Sequence, residues 1–439
     1  MANKKHHFLS TTTVFNFLLV YGLSLTIIPF LMDTPQALLV GMYKIITSSS
    51  NLISDYVHIA DAPAAFLNSG LLTLSSLFLL RKHKHHFCGL TVSVIMMLSG
   101  FSFFGKNIVN SAPILLGCLL YLKIHHSGRQ DLLVMGLLST CLSPIVSIIY
   151  TSPNHFFISN PLIALIAGSL IGYTILPIFD YLKVHTKELN LYNMGFSAGF
   201  IGVLGNFATR NILSIQVVPH APSFDHHRVL LYFLLSLFTV PILVFLYTYK
   251  KNYFHQKGLL LDLKKIVRFS LYGYLGIAFT LVLRVPLSGI LVGSILTFAG
   301  FSMYNFKFRY YFFPAAGVLL SALLFYRDAA TTNNIVVMLF ASTLSPMTRK
   351  YGMITGTFSG GLFSLITRNT HHLTAGINLY NCGFAGGITV LFMDFIRLLF
   401  LKHAGLNAYS QNFYARIIAF EKRVLLKFSL MFQSFSKAD

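Results

Sequence analysis

The stretch GLTVSVIMMLSGFS, Gly89 to Ser102, returns without a gap as GILVGSILTFAGFS, Gly289 to Ser302. Three further matches keep the same order. Thr140 to Pro144 (TCLSP) pairs with Ser342 to Pro346 (STLSP), Gly168 and Gly172 pair with Gly356 and Gly360, and LNLYNMGF from Leu189 pairs with INLYNCGF from Ile377. Ordered matches at offsets of roughly 190 to 200 residues imply that one ancestral unit was duplicated. The first copy takes residues 1–210. Residues 211–268 hold a linker, the first helix of the second copy and an interfacial segment; 269–411 hold the rest of that copy, and a basic amphipathic tail, 412–439, follows.

Composition places the duplicated unit in a membrane. Of 439 residues, 55% are hydrophobic and 10% charged, whereas soluble domains carry about a quarter charged residues. Apolar runs of about 15 to 22 residues recur between Lys, Arg, His, Asn or Gly, and about 20 residues of helix span the hydrocarbon core. A β-barrel would alternate polar and apolar residues, and these runs do not. The expected fold is an all-α integral membrane protein, a bundle of about 14 membrane segments with some re-entrant. Runs near 87 to 104 and 286 to 304 are among the candidate crossings. Seven crossings per copy, an odd number, force the second copy to enter from the opposite side. The halves then form an inverted repeat, an architecture that lines one path in many transporters and channels.

Charge gives the orientation. The net charge of +21 raises nucleic acid as a partner, but the basic residues sit in short clusters between apolar runs, such as Arg81-Lys82-His83-Lys84, Lys250-Lys251, Lys264-Lys265 and Arg349-Lys350. These fall on alternate loops, and the other side keeps isolated cases such as Lys44, Arg210 and Arg284. By the positive-inside rule both termini are cytoplasmic, and nucleic acid is not an expected partner. Thr34 to Ala60 fits no crossing and reads as re-entrant or interfacial. The tail from Asn412 to Ser434 and the segment Leu259 to Arg268 read as helices lying on an anionic inner leaflet. Met1 to Ser10 reads as a basic lead into a retained first helix, with no cleavage site.

The doubled Asn-Leu-Tyr-Asn is the main functional candidate. An unpaired polar group in an apolar interior costs roughly 1 to 3 kcal/mol, so these residues should point inward. Asn190 and Asn193, three apart, fall on one helical face with Tyr192 offset, and Gly195 and Gly199 allow close helix approach. Asn378, Tyr380, Asn381, Gly383 and Gly387 stand in register in the second copy. Packing alone explains such residues in many membrane helices. Their repetition favours lining a solute path, with Phe196 and Phe384 as apolar walls. Asn68, in the polar insertion Phe66 to Gly70, joins the path candidates, as do Ser143 and Ser345, whose Ser-Pro pairs break helices and free backbone carbonyls.

Other chemistries lack a motif. Of the twelve acidic residues only Asp394 falls inside an apolar run, and Arg397, three residues on, is its expected ion-pair partner. With no mid-membrane carboxylate to bind Na⁺ or relay protons, passive conduction of a neutral solute is favoured over ion-coupled transport. The pairs His85-His86, His125-His126, His226-His227 and His371-His372 lack the i, i+4 spacing of a metal site on a helix, and neither HExxH, GxSxG nor a phosphate-binding loop occurs. The four cysteines are isolated and read as small core residues. No catalytic residue, metal ligand or cofactor is expected, and the chain does not read as an enzyme.

The doubled Asn-Leu-Tyr-Asn-x-Gly-Phe, with Ser54-Asp55-Tyr56 and Ala64 to Gly70 near the start, resembles the bacterial membrane family catalogued as domain of unknown function 1576. The resemblance covers nearly the whole chain and implies a duplicated multipass protein of the bacterial inner membrane, without implying a substrate. More loosely, the order of Pro element, Gly168-x-x-x-Gly172 and Tyr/Asn/Gly/Phe segment looks like the layout of urea channels, whose Leu-Pro-x-x-Thr-x-Pro-Phe-Asn signature is absent here. The expected function is a channel or transporter for a small polar, neutral, urea- or amide-like solute. The alternatives are an ion-coupled secondary transporter and a non-transporting scaffold or intramembrane enzyme. Expected partners are the lipid bilayer and the solute, and a homo-oligomer is compatible with the layout.

Overall fold

The computed structural model describes residues 10–52, 54–125, 129–154, 159–186, 190–215, 224–250, 257–304, 308–327 and 330–404. In the first copy the helices are α1 (Thr11–Ile27), α2 (Pro29–Met32), α3 (Pro35–Thr47), α4 (Tyr56–Ile59), α5 (Ala62–Lys82), α6 (Gly89–Phe101), α7 (Ile108–Ile124), α8 (Gln130–Ser139), α9 (Ser143–Tyr150), α10 (Asn160–Thr186) and α11 (Asn190–Phe207). The second holds α12 (His227–Lys250), α13 (Lys257–Val282), α14 (Gly289–Phe301), α15 (Phe308–Ser321), α16 (Thr332–Phe340), α17 (Ser345–Tyr351), α18 (Met353–Thr374) and α19 (Asn381–Ala404). Seven helical stretches among the described residues are long and apolar enough to cross a membrane. This is a multipass membrane protein built as a helical bundle.

The repeated stretch that opens each reading is the centre of the bundle. Nearly every residue of α6 and α14 is buried, and the two helices pack on each other. Gly89, at the start of α6, lies against the Met303 carbonyl beyond the end of α14, while Gly289 lies against the Phe103 carbonyl beyond the end of α6. The two copies of the repeat therefore run antiparallel. Gly100 and Gly293 let the backbones touch, and the Ser93 hydroxyl donates to the Gly300 carbonyl at 2.9 Å. The duplication extends outward, with α7 packed on α10 and α15 packed on α18.

Three features differ from the sequence expectation. The runs near 87 to 104 and 286 to 304 form helices of only 13 residues, about 20 Å at 1.5 Å per residue, short of the roughly 30 Å hydrocarbon core. Extended residues Cys88 and Ser288 start them, and left-handed Lys84 and Arg284 turn the chain just before. Leu259 to Arg268 is not a separate interfacial segment, because it is continuous with the next helix in α13, whose Leu263, Ile266 and Phe269 pack inward. Its Asp262 is buried and accepts a hydrogen bond from the Ser10 backbone N–H at 3.0 Å. Asp55 is likewise buried rather than solvated in a loop: its carboxylate accepts from the Gly289 and Val57 backbone N–H groups, both at 3.0 Å, and so caps α14 and α4 together. The expected tail helix, Asn412 to Ser434, lies outside the described residues.

Candidate functional site

The two Asn-Leu-Tyr-Asn segments meet where α11 crosses α19. A Cβ on Gly195 would lie 2.4 Å from the Gly383 backbone, its own counterpart in the repeat. Gly199 lies under the Phe384 ring and Gly387 against Phe196, and the two rings stand edge to face at 5.9 Å. Gly202 meets Asn378 and Thr374 while Gly386 meets Tyr192, so this pair too is antiparallel.

The segments differ in conformation. Asn190 opens α11, whereas Ile377 to Tyr380 are a buried non-helical connection between α18 and α19. Ala375 (φ 47°) and Gly376 (φ 75°) end α18 in the left-handed region, which glycine adopts without strain. Asn378 and Asn381 consequently do not share a helical face, contrary to the expectation of identical register. The Asn378 side-chain oxygen instead accepts from the Tyr380 N–H at 3.0 Å, and the Asn381 amide donates to the Thr367 carbonyl at 3.0 Å.

This connection docks on the broken helix of the other copy. Between α8 and α9 the chain tightens to a 3₁₀ turn, Thr140–Leu142, ahead of Pro144. The freed Cys141 carbonyl accepts the Leu379 N–H at 3.0 Å, and the Tyr380 N–H points at the Cys141 sulfur. In the mirrored arrangement Tyr192 faces Thr343, which sits in the 3₁₀ turn Ala341–Leu344 where Cys141 sits in the first copy.

Behind Leu379 lies the connection between α6 and α7. Gly105 adopts φ 71°, and a Cβ there would sit 2.5 Å from the Leu379 side chain. The next residue, Lys106, is 1% exposed, and its ammonium donates to the Thr140 hydroxyl. Asn68 donates to the Ser102 carbonyl at 2.7 Å and the Lys106 carbonyl at 2.8 Å. Asn110 donates to the Gly105 carbonyl at 3.2 Å, and the Ser143 hydroxyl approaches the same oxygen at 3.4 Å. Polar side chains of three helices, α5, α7 and α9, thus hold one short backbone segment that carries Lys106.

A cavity of about 620 Å³ reaches this assembly. Its floor is Leu379, Phe101, Phe104 and Phe340, with Asn381 and Cys382 beside them; Arg368, His371 and His372 line its walls, and no carboxylate is among its lining residues. The Arg368 guanidinium stacks on Tyr326 at 3.4 Å and donates to the Asn334 side chain.

Comparison with known families now bears on this architecture. The family described as "Protein of unknown function (DUF1576)" matches residues 34–208 and 250–398, one segment in each copy of the repeat. The chain belongs to the DUF1576 family. No curated protein and no solved structure matches it, so the looser likeness to urea channels gains no support from those comparisons.

For this DUF1576 protein the sequence-derived site residues divide into three groups. Asn381 lines the cavity, while Asn378 and Tyr380 belong to its buried floor segment. Tyr192, Asn193, Gly195, Phe196, Gly383 and Phe384 form or flank the helix crossing and are not among the residues lining that cavity. Asn68 and Ser143 hold the Gly105–Lys106 backbone, and Ser345 is buried at the start of α17. The Asn190 side chain and the Arg397 side chain lie outside the described residues; Asp394 accepts from the Tyr351 hydroxyl at 2.8 Å. Sequence reasoning missed Lys106. The signal was present in Phe103-Phe104-Gly105-Lys106-Asn107, a gap between apolar runs too short for the chain to leave the bundle and return.

Proposed function

We propose that this DUF1576 protein is a channel or carrier of the bacterial inner membrane that moves a small polar solute between two inverted repeats, with both termini cytoplasmic. In this reading α6 and α14 are half-length central helices, and the cavity under Arg368, His371 and His372 is the outer vestibule. One observation carries the proposal: the buried, non-helical Ile377 to Tyr380 brings Leu379 to the lining of a cavity and rests on the 3₁₀ turn Thr140–Leu142 of the opposite repeat. At membrane depth, irregular backbone is tolerated where it is buried in protein or lines a water-filled cavity, and transporter sites sit where broken helices of two inverted repeats face each other.

The test is solute flux into proteoliposomes, measured for urea, acetamide and small anions, with Asn381→Leu and Asn193→Leu as variants. Asn381→Leu places an apolar side chain on the cavity wall and removes the bond to Thr367, so a monodisperse variant should lose most of its flux. Asn193→Leu, at the crossing, should have the smaller effect. Full flux in Asn381→Leu, or no protein-dependent flux of any probe in the wild type, would overturn the reading.

A further inference from the structure

Lys106 is the one lysine among the largest fully buried side chains of the described residues. An intramembrane cation is costly and marks a functional site by default. A lysine ammonium has three donors, and among the described residues the Thr140 hydroxyl is its hydrogen-bond partner, with the Cys141 sulfur nearby. That hydroxyl spends its own proton on the Leu137 carbonyl, so it can only accept from Lys106. No described carboxylate lies within ion-pair distance of the ammonium. Asp55, in the neighbouring connection, is committed to two backbone N–H groups.

The cavity in front of Lys106 has matching chemistry. Its lining carries the Arg368 guanidinium and the imidazoles of His371 and His372 with no carboxylate, and a guanidinium without an acidic counterpart favours anions. The Leu379 side chain packs on Gly105, the residue before Lys106, and lines that space with Phe101, Phe104 and Phe340.

Building on the transport reading above, we infer that the solute is a small monoanion, drawn in by the basic vestibule and bound by Lys106 once Leu379 moves aside. A single ammonium balances a single negative charge. Lysine acts as a point charge rather than as the bidentate fork that arginine presents, so the site suits a compact anion such as a short carboxylate or nitrate. The expectation of a neutral solute rested on the lack of intramembrane carboxylates, and it left this cation uncounted.

Two measurements on the full chain test the inference. Wild-type protein in detergent should gain thermal stability with added nitrate or acetate over matched gluconate, and Lys106→Gln should lose that gain. In proteoliposomes at pH 7.5, corrected for leak in protein-free vesicles, protein-dependent nitrate and acetate flux should exceed urea flux. It should fall at least tenfold in Lys106→Gln, recover partly in Lys106→Arg and rise severalfold in Leu379→Ala. Should Lys106→Gln fail to fold, the Arg and Leu379→Ala variants still decide. Urea flux that exceeds anion flux, with no anion-dependent stabilisation, would overturn the monoanion inference and leave the transport reading standing. No flux of any probe would overturn the transport reading itself.

Discussion

If α6 and α14 cross backbone to backbone, replacing Gly100 with alanine forces them apart. A Cβ at Gly100 would sit 2.6 Å from the Gly293 carbonyl oxygen, and a Cβ at Gly293 would sit 2.5 Å from the Gly100 oxygen. Ordinary contact needs about 3.4 Å, so the helices must separate by about 0.8 Å at the crossing, which loosens dispersion contacts along both. The obstacle is backbone and cannot rotate away. Overpacking of this kind costs about 1 to 3 kcal/mol, against which the better helix propensity of alanine returns up to about 1 kcal/mol, leaving a net loss of about 1 to 2 kcal/mol. The double variant Gly100→Ala/Gly293→Ala should cost little more than either single one, because the first substitution already makes the gap that the second would fill, and neighbouring sites need not add. Gly361→Ala is the control: its added carbon would meet only the Gly317 oxygen, at 3.5 Å, and should be neutral or stabilising. Thermal unfolding in one detergent, read by size-exclusion or intrinsic fluorescence, gives the four values. Gly100→Ala as stable as Gly361→Ala, or a double variant with the summed loss of the single ones, would refute the antiparallel crossing.

Other consequences are open to the same assays. Asp55→Ala removes the acceptor shared by Gly289 and Val57 and should cost about 1 to 2 kcal/mol, the usual loss for a helix cap; Asp55→Asn keeps one acceptor and should fall between, so equal stabilities for all three would contradict the shared cap. His85, in the turn between α5 and α6, is held below the ordinary imidazole range, at about 4, by burial and by the neighbouring His86, and its Nε2 lies 2.9 Å from the Thr91 hydroxyl. Folding therefore favours the neutral ring: its contribution is whole above about pH 6.5 and fades as pH falls toward about 4. His85→Gln should flatten the acid limb of the stability profile, and an unchanged limb would exclude His85 as its source.

How much of this was legible depended on whether the deciding forces were local. The duplication could be read directly, because repeated residues such as Gly100, Gly172 and Gly195 with their partners are the ones at which backbones approach. The helix break at Ser143-Pro144 was equally readable, since proline cannot supply the N–H that a continuous helix needs there. The length of α6 and α14 was not: their apolar runs are long enough to suggest a crossing, and only the turns at Lys84 and Arg284 shorten them. Reading both Asn-Leu-Tyr-Asn segments as one helical face failed for the second copy, where Ala375-Gly376 precedes the motif, a helix-ending pair that Lys187-Glu188 does not match. Lys106 looked like one more basic residue between runs, because its burial is tertiary: its ammonium reaches Thr140 in the turn after α8, and Asn68 of α5 holds its carbonyl.

The two copies depart from symmetry at the proposed site. Two copies related by an antiparallel crossing supply a frame in which α6, α7, α10 and α11 have counterparts in α14, α15, α18 and α19, and a perfectly repeated chain would carry either two buried lysines or none. At the offset of 200 residues that aligns α6 with α14, the sequence position matching Lys106 is Phe306, so the repeat does not carry over at the lysine. In the proposed site the first copy contributes Lys106 and the 3₁₀ turn Thr140–Leu142 beside it, and the second contributes the non-helical segment whose Leu379 packs on Gly105.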